Sequence, residues 1–267
     1  MATETEPSAP PSRAAIGRRH LRTDRWWLAP AATALGLLTF VVYATWRAFS
    51  DADYYAAPYV SPFYSPCLAE RCEPMRDGPN WALFGDWWPL SPALIFLALP
   101  LGFRITCYYY RKAYYRSVWA SPPACGVAEP HRSYSGERRF PLIVNNAHRY
   151  FFYASAGIAL LLTYDTVLGF RDADYAWGHM GLGTVLFLVN IVLVWGYTLS
   201  CHSCRHIMGG RLRSFSRHPV RYRLWDWISR LNGHHMLLAW ASLTSLGLTD
   251  LYVYLLATDV FTDPQLF

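Results

Sequence analysis

Residues 181–199 read GLGTVLFLVNIVLVWGYTL, an apolar run without a charged side chain. About 20 apolar residues are what a helix needs to cross a hydrocarbon core of about 30 Å. After this run, residues 201–206 read CHSCRH, which places two thiols and two imidazoles within six residues. Cysteine and histidine together are typical ligands of zinc and of iron–sulfur clusters. The stretch therefore predicts a membrane span that ends in a metal-binding segment.

Apolar runs of similar length recur along the chain, whose 267 residues are 53% hydrophobic and 17% aromatic. The sequence predicts an all-α integral membrane protein in which residues 25–258 form a bundle of five transmembrane helices. The predicted spans are residues 26–48, 90–110, 148–170, 177–199 and 234–257. Three segments lie outside them: a mobile basic tail at 1–24, an outer loop at 49–88 and a short C-terminal tail at 259–267.

Charges alternate between the segments that connect the spans. The loop at 49–88 holds six acidic residues and two arginines, whereas residues 201–230 hold seven arginines and one acidic residue. Cytoplasmic loops of membrane proteins carry an excess of Lys and Arg, so we expect the N-terminus in the cytoplasm and the C-terminus outside. The formal net charge of +6 is explained by this topology. Nucleic acid is therefore not an expected partner, whereas the lipid bilayer is.

The predicted topology brings most cysteines and histidines to one depth, near the cytoplasmic interface. Cys201 and Cys204 are spaced i, i+3, which on a helical end turns both sulfurs to one side. His148 and His235 begin two other spans on the same side, where ligands from different helices can converge. These four residues are the predicted metal ligands. Weaker candidates at this depth are His206, Cys107 and Cys125.

Three kinds of metal centre suit these ligands. A Cys2His2 zinc site would be closed and structural. A haem b would use His148 and His235 as axial ligands and leave the cysteines without a role. A Rieske-type [2Fe–2S] cluster takes two cysteines on one iron and two histidines on the other, so it uses both kinds of residue.

Two further cysteines, Cys67 and Cys72, lie in the acidic outer loop. That loop faces an oxidising compartment if the membrane is a bacterial plasma membrane, so a local disulfide is expected there.

Five segments of the sequence resemble the cytochrome b-like membrane anchor subunit of an actinobacterial-type succinate dehydrogenase, respiratory complex II. They are Cys107-Tyr-Tyr-Tyr-Arg-Lys, Ser121-Pro-Pro-Ala-Cys125, Asn146-Ala-His148-Arg-Tyr-Phe-Phe, Trp177-Gly-His-Met-Gly-Leu-Gly and Leu199-Ser-Cys-His-Ser-Cys-Arg-His206. The resemblance covers residues 90–257, and it implies five transmembrane helices in one polypeptide.

The resemblance also implies a place in the tricarboxylic acid cycle and in electron transport. A flavoprotein subunit that oxidises succinate and an iron–sulfur subunit would dock at the cytoplasmic face of a bacterial plasma membrane. This chain would hold a membrane-embedded Rieske-type [2Fe–2S] cluster and pass electrons to a quinone, either menaquinone or ubiquinone. The succinate site would lie on a partner subunit, and the whole complex could form a homo-oligomer.

A quinone needs an aromatic-lined slot with donors for its carbonyl oxygens. Arg149 and Tyr150 adjoin His148, and with Trp119 they are the predicted quinone-binding residues. Trp177 and His179, at the outer side, are an alternative. Two other functions remain open: a haem b anchor with bis-histidine ligation, and a non-catalytic membrane scaffold stapled by a structural zinc site.

Overall fold

The architecture of the chain is given by a computed structural model, which describes residues 22–65, 91, 93–127, 130, 139–140, 142–172, 174, 176–210 and 212–266. The predicted disulfide between Cys67 and Cys72 and most of the predicted tail at 1–24 lie outside these residues. The chain is mostly helical, as predicted. The description as all-α omitted one short hairpin.

The elements follow one another in a simple order. They are α1 (Leu28–Ser50), β1 (Tyr55–Ala56), β2 (Tyr59–Val60), α2 (Ala93–Thr106), α3 (Tyr108–Ser117), a 3-10 helix (Leu142–Ala147), α4 (His148–Leu168), α5 (Leu182–Leu199), α6 (His202–Gly209), α7 (Pro219–Asn232) and α8 (His235–Ala257). The two strands pair antiparallel, with Tyr55 opposite Val60.

Four of the five predicted spans correspond to helices that are long and apolar enough to cross a membrane. Within the described residues these helices are Leu28–Ser50, Ile143–Leu168, Leu182–Leu199 and His235–Ala257. The predicted second span corresponds to α2, whose apolar segment Leu97–Thr106 is shorter. The described part of the chain therefore supports a membrane protein with four candidate spans.

The second span was predicted to continue to residue 110, but the structure ends α2 at Thr106. Cys107 has extended backbone angles, φ −63° and ψ 131°, and α3 begins directly after it. The hydroxyl of Thr106 donates to the carbonyl of Gly102, a local bond that competes with continuation of the helical backbone. The basic segments that follow α2 and α5 contain the shorter helices α3, α6 and α7.

The bundle packs around α4, α5 and α8. Helix α5 lies along α8, and α4 contacts both α2 and α5. Helix α1 lies at the edge and exposes large apolar side chains, among them Leu35, Leu38 and Val42. Exposed apolar patches of this kind indicate a partner surface, and for a helix of spanning length that surface is lipid.

A buried ion pair joins α1 to α8 at the end of the bundle opposite Cys107. Arg47 Nε donates to Asp250 Oδ2 at 2.9 Å, and both side chains are 0% exposed. Ser61 and Tyr43 also donate to the Asp250 carboxylate, while the Arg47 guanidinium donates to the carbonyl oxygen of Ala52. Buried charges are tolerated only when paired and hydrogen-bonded in this way.

The segment that follows α8 closes the same end of the bundle. Asp263 accepts from the backbone N–H of Gly183 at 3.0 Å and from the hydroxyl of Tyr59 at 2.7 Å. The Tyr59 ring lies directly on the first turn of α5, where a Cβ at Gly183 would come within 2.5 Å of it. Glycine at this position permits the close approach, and the Asp263 carboxylate satisfies an N–H that α5 leaves free.

We predict that replacing Asp250 by Ala destabilises the fold, because it leaves the Arg47 charge buried without its carboxylate. Breaking a buried pair from one side costs about 3–5 kcal/mol. Thermal unfolding of the chain in detergent micelles measures the effect.

The exposed pair Arg230–Asp226 provides the matched control. Its nitrogen–oxygen distance is 2.8 Å, but the Arg230 side chain is 79% exposed. Asp226→Ala should therefore cost only about 0.3–0.5 kcal/mol. Equal losses in the two variants would contradict the structural role given to Asp250.

Candidate metal centre

A cavity of about 610 Å³ lies at the end of the bundle where α2 and α5 finish and α4 and α8 begin. Its lining combines thiol, imidazole, amide and aromatic groups. The lining residues are Thr106, Cys107, Tyr108, Tyr109, Arg111, Asn145, Asn146, His148, Cys201, His202, Ser203, Asn232, His235 and Met236. No carboxylate is among these described lining residues.

Two thiol–imidazole contacts cross the bundle at this cavity. Cys107 Sγ lies 3.3 Å from Nε2 of His235, and Cys201 Sγ lies 3.1 Å from Nε2 of His148. The four side chains come from four different stretches of the chain. Each cysteine is almost completely buried, at 2% exposure for Cys107 and 1% for Cys201.

Both cysteines stand at breaks between two helices. Cys107 precedes the first residue of α3, and Cys201 precedes the first residue of α6. Their backbones are extended, with ψ 131° and 145°, so neither residue continues the helix before it. The break turns each side chain toward the bundle interior. Cys201 Sγ also accepts from the backbone N–H of Ser203 at 3.4 Å.

The extended backbone of Cys201 changes the expected relation between Cys201 and Cys204. Both sulfurs would point to one side only if both residues were helical, whereas only Cys204 lies within α6. Cys204 is buried in the same hydrophobic cluster as Cys107 and Cys201, but it does not line the cavity. His206 does not line the cavity either, and Cys125 is exposed and outside its lining. The structure thus brings together Cys107, Cys201, His148 and His235.

The second nitrogen of each histidine meets a hydroxyl group. Nδ1 of His148 lies 2.9 Å from the hydroxyl of Thr106, and Nδ1 of His235 lies 2.7 Å from that of Ser200. Such outer contacts fix the orientation of metal-ligating imidazoles.

Aromatic rings support the same two imidazoles. Phe103 stacks on His148 with ring centroids 4.8 Å apart, and Tyr197 stacks on His235 at 5.0 Å. The Arg104 guanidinium lies over the ring of Tyr197, 4.6 Å from the ring centroid, and donates to the hydroxyl of Ser242. The Tyr197 hydroxyl is buried, and within the described residues it has no hydrogen-bond partner.

Burial keeps Cys201 and Cys204 in the thiol form when nothing is bound. Burial raises the pKa of the Cys201 thiol to about 12 and also raises the pKa of Cys204. A metal ion reverses this preference, because a coordinating thiol is deprotonated outright.

The four donors lie in two separate pairs. In the part of the chain that the structure describes, no three His, Cys, Asp or Glu side chains are grouped closely enough to hold one metal ion. The donors instead form two Cys–His pairs beside one cavity.

The predicted quinone residues lie outside the cavity. Tyr150 and Trp119 are 74% and 52% exposed, and neither they nor Arg149 line it. The polar side chains that do line the cavity include Asn145 and Asn232, which were not predicted from the sequence as quinone-binding residues.

One pattern in the sequence favours Cys107 as a main candidate ligand. Thr106-Cys107 ends one apolar run, and Ser200-Cys201 ends another, so a hydroxyl residue followed by cysteine occurs twice at the same depth. In the structure each hydroxyl contacts one histidine, while the cysteine next to it contacts the other.

The fold and the site together define a helical membrane protein with a thiol–imidazole centre at one end of its bundle. The family described as actinobacterial succinate dehydrogenase subunit SdhC matches residues 28–259. The chain therefore belongs to this family and is a membrane anchor subunit of succinate dehydrogenase, which confirms that part of the resemblance.

A solved structure gives the same result. A chain of the Mycobacterium smegmatis Sdh1 complex in the apo form is 52% identical, with 97% of each chain covered and a TM-score of 0.84. No curated protein matches the sequence.

We predict that the four described cysteines differ sharply in reactivity. Cys125 is exposed, whereas Cys107, Cys201 and Cys204 are buried, and thiols react as thiolates that need solvent access. Maleimide labelling of the folded protein at neutral pH, mapped by mass spectrometry, should modify Cys125 first. Denatured protein, in which these four cysteines should all react, is the control. Rapid labelling of Cys201 in the folded protein would contradict the burial described.

Proposed function

We propose that this chain carries electrons from the iron–sulfur subunit of a succinate dehydrogenase to a membrane quinone, through a Rieske-type [2Fe–2S] cluster in its own bundle. The observation that carries the proposal is the pair of contacts Cys107–His235 and Cys201–His148 at one cavity. Two buried thiols and two imidazoles are the donor set that such a cluster requires.

In this proposal Cys107 and Cys201 supply the two thiolates, and His148 and His235 supply the two imidazoles. Cys107 replaces Cys204 of the sequence-based prediction because Cys107 lines the cavity and contacts His235, whereas Cys204 does not line the cavity. When bound, the cluster supplies one-electron redox chemistry. The chain holds the donors in place, surrounds them with apolar groups and limits access of water.

The alternative centres fit these contacts less well. A haem b would use only the two imidazoles and would leave without a role the two buried thiols that contact them. A single zinc ion needs four donors converging on one point, whereas the described donors form separate pairs.

The charges near the cavity support docking of the soluble subunits at this end of the bundle. Arg111 lines the cavity, and α7 carries Arg221, Arg223 and Arg230. Under the positive-inside rule this end faces the cytoplasm, where an iron–sulfur subunit with its flavoprotein would deliver electrons. The 52% identical chain comes from an Sdh1 complex, which supports such an assembly. In this proposal the complex lies in a bacterial plasma membrane, and α2 forms the fifth span.

The same cavity is the proposed quinone site. Tyr108 and Tyr109 offer aromatic walls, and the amides of Asn145 and Asn232 offer donors for quinone carbonyls. Its volume of about 610 Å³ lies within the usual range of ligand pockets, about 300–1,000 Å³.

We predict that replacing Cys107 by Ser removes the cluster, whereas replacing Cys204 by Ser leaves it in place. The physical reason is that the Cys107 thiol contacts an imidazole at the cavity, whereas Cys204 does not line the cavity. Iron content and the electron paramagnetic resonance spectrum of the reduced complex measure the outcome.

Three results would overturn the proposal in different ways. A sharp haem α-band in the reduced unmodified complex would establish the haem b anchor. Stoichiometric zinc without iron in the membrane subunit would establish the scaffold. A normal cluster signal in C107S together with its loss in C204S would reverse the assignment of the cysteines.

We predict that Asn145→Leu weakens quinone binding without affecting the cluster. Losing one neutral hydrogen bond of about 0.5–1.5 kcal/mol should raise KM for the quinone by roughly 3–10-fold. Quinone reductase assays on the assembled complex measure this change, and the resonance spectrum checks the cluster. Tyr150→Ala, an exposed position outside the cavity, is the matched control; a larger effect there than at Asn145 would place the quinone elsewhere.

A further inference from the structure

The hydrogen bonds of Thr106 assign the proton on the His148 ring. The Thr106 hydroxyl has a single hydrogen, and it donates this hydrogen to the carbonyl of Gly102 at 2.6 Å. The same oxygen lies 2.9 Å from Nδ1 of His148 and can then only accept. Nδ1 of His148 must therefore carry the ring proton, which leaves Nε2 with a free lone pair.

Ser200 makes the same arrangement for the second histidine. Its hydroxyl donates to the carbonyl of Tyr197 at 2.9 Å and lies 2.7 Å from Nδ1 of His235. Ser200 is 0% exposed and Thr106 is 4% exposed, so competing bonds from these hydroxyls to bulk water are suppressed. In a neutral imidazole the nitrogen without hydrogen is the one that binds metal.

The two hydroxyls are also connected crosswise to the thiols. Thr106 holds the histidine that faces Cys201, and Ser200 holds the histidine that faces Cys107. Each helix end therefore supplies one thiol directly and orients the imidazole that contacts the other thiol. A loss at either hydroxyl affects a ligand without removing it.

We infer that Thr106 and Ser200 are positioning residues that hold His148 and His235 as Nδ1–H tautomers, with Nε2 presented to the metal centre. This inference rests on the proposed function and adds the residues that set its ligand geometry. A bond from Nδ1–H to an oxygen also raises the basicity of the ligating imidazole, which stabilises the oxidised iron and lowers the reduction potential.

The test compares Thr106→Val and Ser200→Ala with the unmodified complex. Loss of such an outer partner reduces metal affinity by about 10–100-fold, so iron should be lost faster to an added iron chelator. The midpoint potential of the centre should rise, because each histidine becomes a weaker donor. Pulsed electron paramagnetic resonance, which detects the nitrogen nuclei of both histidines, should show altered coupling for one histidine in each variant.

Two controls separate positioning from general packing. Thr106→Ser keeps the hydroxyl and should restore the unmodified potential. Thr166→Val removes a buried hydroxyl that donates to the carbonyl of Leu162 at 2.8 Å without touching a histidine, and it should leave the potential unchanged. If T106V does not assemble, S200A decides the question, because alanine fits the space that serine fills.

The outcomes distinguish this inference from the proposed function. Nitrogen-coupled iron in the unmodified complex, with potentials of T106V and S200A equal to that of T166V, would overturn the positioning role alone. Absence of nitrogen-coupled iron from the unmodified complex would overturn the proposed function and this inference with it. A raised potential in both variants, restored by T106S, is the expected result.

Discussion

The arrangement of this protein depends on two breaks in helical backbone, at Cys107 and at Cys201. At each break the chain is extended for one residue, which turns a thiol into the bundle instead of along a helix surface. The thiols then meet Nε2 of His235 and His148 from the opposite helices. The centre consequently joins α2, α4, α5 and α8 at one end, so its geometry depends on the packing of the whole bundle.

The opposite end of the bundle is stabilised by different interactions. There a buried ion pair between Arg47 and Asp250, with hydroxyl donors around it, joins the first and last long helices. The Asp263 carboxylate ties the C-terminal segment to α5 and to the hairpin. These contacts lie away from the helix ends that carry the thiols and imidazoles. Structural polar groups and functional polar groups are thus separated along the bundle.

The sequence was sufficient for the membrane character of the chain, for most spans and for three of the four residues at the centre. Apolar run length reports the spans directly, because the bilayer sets one length for all of them. The charges of the loops indicate the expected orientation, because cytoplasmic loops carry an excess of Lys and Arg. His148, His235 and Cys201 were identified because topology alone places them at one depth.

Cys204 was predicted instead of Cys107 because a continuous helix was assumed. A break of one residue in a helix changes the periodicity of the sequence too little to be detected. The buried pair of Arg47 and Asp250 depends on contacts about 200 positions apart, which no local pattern reports.

The central proposal is that Cys107, Cys201, His148 and His235 enclose a single iron–sulfur centre. The most direct measurement is an anomalous difference map at the iron absorption edge, from crystals of the assembled complex. The expected result is an iron peak in contact with Sγ of both cysteines and with the imidazoles of both histidines. An iron peak at Cys204, or none within the bundle, would contradict it.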